Sequence, residues 1–287
     1  MSTQITTAFV QQFSNNVSML SQQMGSLLRG SVDEESVTGE KAFFDQIGSS
    51  AAVKRTSRHG DTPMVETPHS RRMVTMDSYE WADLIDDSDK VRLLADPTSS
   101  YAKAAAAAMG RAMDDTIIAA ATGSALTGKA GATSTAMDSS HIIAHGSADL
   151  TIAKLITAKK TLDLASVDPS IPRYIAVGPD QVEALLNTTS VTSSDFNTVK
   201  ALVQGDIDTF LGFKFITTTR LAVASNIRTC FAWAGDGIKM AVGKDVTSRI
   251  DERSDKSYST QVYYCATFGA TRMEESKVVS VLCDESA

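Results

Sequence analysis

The chain has 287 residues, 43% of them hydrophobic, with a formal net charge of −7 at pH 7 and a sequence pI near 5.1. That length supports one large domain or two intimate ones around a sizeable core. The acidic balance argues against gripping nucleic acid by phosphate neutralisation, which requires a concentrated basic surface. Cys230, Cys265 and Cys283 are odd in number, lie in apolar runs and show no CxxC spacing, so they read as buried free thiols.

The N-terminus, Met1-Ser-Thr-Gln-Ile-Thr-Thr, has neither a basic segment nor a continuous apolar one, and no secretory signal is expected. Phe9, Phe13, Val17, Leu20, Met24 and Leu27 recur at three- and four-residue steps, an amphipathic arm that packs either on its own core or on a neighbouring subunit. From Gly48 to about Met76 the periodicity fades among Pro63, Pro68, Gly48 and Gly60, which suits a long projecting β-loop. This loop carries Lys54, Arg55, Arg58, Arg71 and Arg72 against only Asp61 and Glu66. Residues 77–89 reverse the sign with Asp77, Glu80, Asp83, Asp86, Asp87 and Asp89.

Asp96 and Pro97 are N-terminal helix signals, the Ala-rich run that follows favours helix, and Gly123 stands where a stop is expected. A helix from Pro97 to Thr122 spans about 39 Å, long for an ordinary domain and suited to a spine. Lys103, Arg111, Asp114 and Asp115 interrupt it, so it is no membrane span. Asp114 and Asp115, being adjacent, point about 100° apart and read as helix surface or intersubunit contacts.

Residues 124–150 form a Gly/Ala/Ser/Thr-rich connection, and Ile152, Leu155, Ile156 and Leu162 mark a second amphipathic helix. Tyr174–Val177 reads as a strand and Gln181–Asn187 as a helix with Pro179 near its first turn. Strands follow at Phe213–Ile216, Thr229–Ala234, Ile238–Val242, Asp245–Ile250, Tyr258–Phe268 and Val278–Cys283, with Gly235-Asp236-Gly237 as a tight hairpin turn in a mostly antiparallel sheet.

No catalytic constellation emerges. Gly123-Ser-Ala-Leu-Thr-Gly128-Lys129 has the phosphate-loop spacing, but Ala130 replaces the Mg²⁺-binding hydroxyl and the segment follows a helix instead of a strand. The carboxylates at 77–89 lack the calcium-loop pattern. His59, His69, His141 and His145 form no HExxH motif, and the pair at 141 and 145 has no third ligand nearby. Trp81 and Trp233 lack the basic interleaving of a base-stacking platform and read as core or interface. The chain is expected to be no enzyme and to need no cofactor or metal.

The order of arm, charged loop, long helix, α/β insertion and returning strands resembles the major capsid proteins of tailed bacteriophages, which have the Hong Kong 97-type fold. Two segments sharpen the likeness: Phe196-Asn-Thr-Val-Lys-Ala-Leu-Val-Gln-Gly205 with Phe210-Leu-Gly212-Phe213-Lys-Phe215, and Ala266-Thr-Phe-Gly-Ala-Thr-Arg272 through Val281. The resemblance implies an α+β fold with 1–46 as N-terminal arm and 47–80 as extended loop. It makes 81–149 a peripheral domain holding the spine helix 97–123, 150–235 an axial domain, and 236–287 strands returning to the peripheral domain. It also implies hexamers and pentamers of the chain in an icosahedral shell around weakly contacted double-stranded DNA, with a portal protein. Only about 46 residues precede the loop, so a separate scaffolding protein is expected. Lys54 is a loop lysine of the kind cross-linked in some members, but no partner motif is matched and that chemistry is not carried over. The charge segregation suggests intersubunit contact between Lys54, Arg55, Arg58, Arg71 and Arg72 on one copy and Asp83, Asp86 and Asp87 on another. An encapsulin-like cellular compartment is the alternative of the same fold, and a nucleotide-dependent enzyme using Gly123–Lys129 that of another class.

Overall fold

A computed structural model describes residues 21–58, 60–85, 98–187 and 209–286. The expected stripe positions Phe9, Phe13, Val17 and Leu20, the helix-start signals Asp96 and Pro97, the carboxylates Asp86, Asp87 and Asp89, and the segment 196–205 lie outside the described residues. The chain forms two units: a smaller one from the described parts of Met1–Ser26, Ser78–Ala112 and Lys244–Ala266, and a larger one from Leu27–Asp77, Met113–Gly243 and Thr267–Ala287.

Strands β1 (Asp33–Ser36), β2 (Lys41–Ile47), β3 (His69–Thr75) and β4 (Asp77–Ile85) precede the long helix α1 (Thr98–Thr122). Ala105, Met109, Met113, Ile117 and Ala121 are buried at four-residue steps along α1, and this apolar row is why an Ala-rich sequence holds as one helix. Gly110 has a structural role in the smaller unit: a side-chain carbon there would overlap the backbone of Gly25 and Ser26, so only glycine lets that segment lie against the helix. Arg111 holds the same segment, donating to Gln22 at 2.9 Å and to the Gln23 carbonyl at 3.2 Å.

The short strands β5 (Ala125–Thr127), β6 (Thr133–Thr135) and β7 (Ile142–Ile143) follow, then α2 (Ile152–Leu164), β8 (Arg173–Val177) and α3 (Pro179–Asn187). Thr151 caps α2 by accepting the Lys154 N–H at 3.4 Å, and Pro179 opens α3 where its missing N–H costs nothing. The remaining strands are β9 (Thr209–Phe210), β10 (Phe213–Thr217), β11 (Val223–Ala224), β12 (Ile227–Ala234), β13 (Ile238–Arg253), β14 (Ser259–Arg272) and β15 (Val278–Asp284).

In the larger unit one sheet runs β7-β15-β12-β8-β10-β9, with β11 on β12. Its core includes Trp233, Phe231, Ile175, Phe213 and Val281, all fully buried. Trp233 stacks on Tyr174 with ring centroids 5.6 Å apart and satisfies its indole N–H on the Ser31 carbonyl at 2.9 Å. A second sheet runs β2-β3-β5-β6, and β1 lies parallel to residues 239–242 of β13. In the smaller unit the distal part of β13 is followed across the sheet by β14 and β4.

Several expectations change. The sheets are mixed: β8 with β10, β15 with β7 and β1 with β13 run parallel. Residues 235–237 make a tight turn, Gly237 N–H donating to Ala234 O at 2.7 Å, but β12 pairs with β8 and β15 while β13 joins another sheet, so the turn is a corner and no hairpin. The two strands expected at 238–242 and 245–250 are one. Cys230 and Cys283 are buried as expected, whereas Cys265 is partly exposed, with its sulfur 3.1 Å from Lys244 Nζ.

Candidate assembly surfaces

The loop 48–68 springs from the antiparallel pair β2 and β3, in which Asp45 stands opposite Arg71 and Phe44 opposite Arg72. Every described residue of the loop is exposed except Thr67, and Met64 is 98% exposed. Lys54 and Arg58 have no ion-pair partner among the described residues, and Arg55 donates only to the nearby Ser57 carbonyl at 2.8 Å. Arg71 and Arg72 behave differently. Arg71 grips Asp45 through two contacts of 2.5 and 3.0 Å and covers the Phe43 ring at 5.5 Å. The hydrogen bond from Arg71 holds the Asp45 carboxyl below its ordinary range. Arg72 donates to the Met273 carbonyl at 2.9 Å and lies 3.6 Å from Glu275. Both arginines therefore anchor the root of the loop, leaving Lys54, Arg55 and Arg58 as its outward charges.

Of the acidic residues expected to face them, Glu80 accepts the Tyr263 hydroxyl at 2.9 Å, and that bond pushes the Tyr263 pKa up to about 12. Asp83 caps its own neighbour, accepting the Leu84 N–H at 2.8 Å. Strand β4, which the charge block concealed, alternates exposed with less exposed positions, so Glu80 lies on the exposed face of this edge strand and Asp83, three residues on, on the opposite, less exposed one.

Beside the loop root lies a groove of about 1010 Å³ lined by Arg71, Arg72, Lys129, His141, Asp45 and Glu275 among others. Its charges are largely paired within the chain: Arg71 with Asp45, Arg72 with Glu275, and Glu274 with Lys277 and the Ser276 hydroxyl, which donates to it at 2.6 Å. The phosphate-loop spacing Gly123–Lys129 runs from the end of α1 along β5 into the turn that joins β5 to β6, where Gly128 and Gly131 take φ of 91° and 67°. That geometry demands glycine for a tight hairpin and places no helix after Lys129. Among the described residues no three His, Cys, Asp or Glu side chains come together as metal ligands.

The polar residues that matter most to the framework were not visible as such. Asp114 is fully buried, contrary to the surface role expected of it, and accepts the N–H groups of Leu27 at 3.0 Å and Leu28 at 3.1 Å. Asp115 binds Arg220, with Nε at 2.6 Å. Arg272, also fully buried, closes the C-terminal end of α1 by donating to the carbonyls of Ala121 at 3.1 Å and Gly123 at 2.7 Å. Those carbonyls would otherwise be orphaned at the helix end. Lys154 donates to the carbonyls of Ala148 at 2.7 Å and Leu282 at 2.9 Å, tying the start of α2 to β15.

Among the described residues these features give a folded framework with exposed charged segments. A model of the family described as phage capsid protein matches residues 5–285. No curated protein sequence matches the chain. Among solved structures, the capsid of the cyanophage P-SCSP1u is similar with a TM-score of 0.76 at 15% identity, covering 98% of this chain and 94% of that one. The capsid of Ralstonia phage GP4 gives 0.74 at 11% identity over 96% and 95%, and that of cyanophage Pam1 gives 0.71 at 13% over 98% of each. The fold is thus the α+β Hong Kong 97-type capsid fold, and the chain is a structural protein of the virion, the major capsid protein of a tailed phage, with the encapsulin-like compartment not favoured. Matched over nearly its whole length, the chain belongs to the phage capsid protein family.

Proposed function

We propose that this chain assembles with itself as hexamers and pentamers into an icosahedral shell enclosing double-stranded DNA, and that the loop 48–68 lies over a neighbouring copy. The observation that carries this reading is the loop itself: an exposed excursion, rooted by Arg71 and Arg72, whose outward residues Lys54, Arg55 and Arg58 touch little of their own chain. A loop of this length in a folded domain is a functional projection, and complementary charge steers it and fixes its register. Asp83 and its neighbours Asp86 and Asp87 are the acidic surface it faces.

In this reading 1–46 is the arm, 47–80 the extended loop, 81–149 and 236–287 the peripheral domain, and 150–235 the axial domain. Subunits are made in the bacterial cytoplasm, a separate scaffolding protein guides assembly and a portal protein occupies one vertex. Many modest contacts repeated around the shell supply its strength. Replacing Lys54, Arg55 and Arg58 together by Glu is expected to leave a folded subunit that fails to close shells, scored by sedimentation and electron microscopy; normal shells from that variant would overturn the loop's role. The net charge of −7 suits an inner wall along which DNA slides. Gel-shift titration of isolated subunits is expected to show weak DNA binding, and tight salt-sensitive binding would contradict it.

A further inference from the structure

Two helices of the larger unit present complementary outer faces. On α2, Ile156, Lys160 and Leu164 recur every fourth residue and so stack along one side of the helix. Ile156 is 53% and Leu164 75% exposed, and with Lys159, Lys160 and Asp163 they line a hollow of about 360 Å³. Asp163 is held by Arg173 at 2.7 Å, whereas Lys159 and Lys160 have no ion-pair partner among the described residues. This face therefore joins an apolar ridge to two uncompensated positive charges.

On α3, Val182 and Leu186 form a shorter ridge, both only partly buried. Glu183 beside them is exposed and has no ion-pair partner among the described residues, and Asp180 is only loosely held by Arg228, at 3.5 Å. The two faces match in form and oppose in sign.

We propose that α2 of one copy docks on α3 of the next, as a head-to-tail contact within the ring of subunits. The proposal rests on the shell reading above and names the faces that such a ring would use. Pairing α2 with α2 of another copy would set Lys159 and Lys160 against the same charges, and pairing α3 with itself would do so for Glu183; only unlike faces fit. A contact between two different faces is heterologous, so each copy carries both halves and successive copies propagate around an axis until the ring closes. Other acidic groups fit less well. Asp33 and Glu35 are held by Lys239 at 3.1 and 2.7 Å, Glu34 is held by Arg29, and Glu80 is taken by Tyr263. None of these sits beside an apolar helical ridge.

The test is assembly of the full chain, coexpressed with the genes beside its own, measured as the fraction of subunits in closed particles on a density gradient. Lys159→Glu with Lys160→Glu is expected to keep the wild-type melting temperature, because both side chains are exposed, and to lower particle yield at least tenfold. The swap Lys160→Glu with Glu183→Lys is expected to recover most of the yield lost by Lys160→Glu alone. A cysteine pair, Leu164→Cys with Asn187→Cys, is expected to give an oxidised ladder of linked copies. Full yield from the double lysine variant, or a swap no better than its single parent, would overturn the docking while leaving the shell reading intact. Absence of particles from the wild-type chain would remove the shell reading itself, and the docking with it.

Discussion

Replacing Asp114 by Ala tests whether a buried carboxylate on the long helix holds the segment that enters the larger unit. The side chain is fully buried and accepts two backbone N–H groups, from Leu27 at 3.0 Å and Leu28 at 3.1 Å. Leu28 is itself 0% exposed, so its N–H has no access to water once the carboxylate is gone. An orphaned buried donor costs about 1–3 kcal/mol, and the partly buried Leu27 N–H adds about 1 kcal/mol. The expected loss is thus about 2–4 kcal/mol. For a chain of this size each kcal/mol moves the melting temperature by about 2 °C, which predicts a fall of about 4–8 °C. Circular dichroism melts of the unassembled subunit would measure it. Asp114→Asn keeps one acceptor oxygen and should lose about half as much. A melting temperature for Asp114→Ala within 1 °C of wild type would refute the reasoning, as would an Asn variant as damaged as the Ala variant.

Two further outcomes follow from single contacts. Gly110→Ala should displace Gly25 and Ser26 from the helix, since the added carbon would meet their backbone; the expected signature is faster limited proteolysis near residue 25, and an unchanged digestion pattern would show that the helix yields instead. Tyr263, donating to Glu80, should ionise near pH 12 in the folded protein against an ordinary value of 10.0, and Glu80→Gln should bring it back toward that value in a tyrosine-labelled NMR titration. Because the folded pKa is the higher one, the stability contributed by this bond is fully present below pH 10 and is lost as pH rises toward 12.

Local signals carried much of the fold. The Ala-rich run and Gly123 delimit α1 at its C-terminal end, Pro179 opens α3, and the Pro- and Gly-broken stretch after Gly48 is the projecting loop. Strand partners were not legible, because β1 pairs with residues some 200 positions away and nothing local to Asp33–Ser36 encodes that choice. The same distance explains why Gly235–Gly237, locally a hairpin signal, became a corner between sheets. Asp114 could have been found: it falls among Gly110, Ile118 and Ala121 on the buried side of α1, and a carboxylate on an apolar face must meet donors. Arg272 gave no signal of its role at the helix end: Glu275 lies three residues on at 3.7 Å, but the carbonyls it closes belong to a helix about 150 residues earlier. For the charged segments, the sign pattern was readable but its division of labour was not. Arg71 and Arg72 looked like Arg55 and Arg58 until Asp45 and Met273 were seen beside them.

Self-assembly is tested most directly by negative-stain electron microscopy of the wild-type protein purified after coexpression with its neighbouring genes. Closed icosahedral shells built from this chain are the predicted result. Monodisperse subunits with no particles would contradict it.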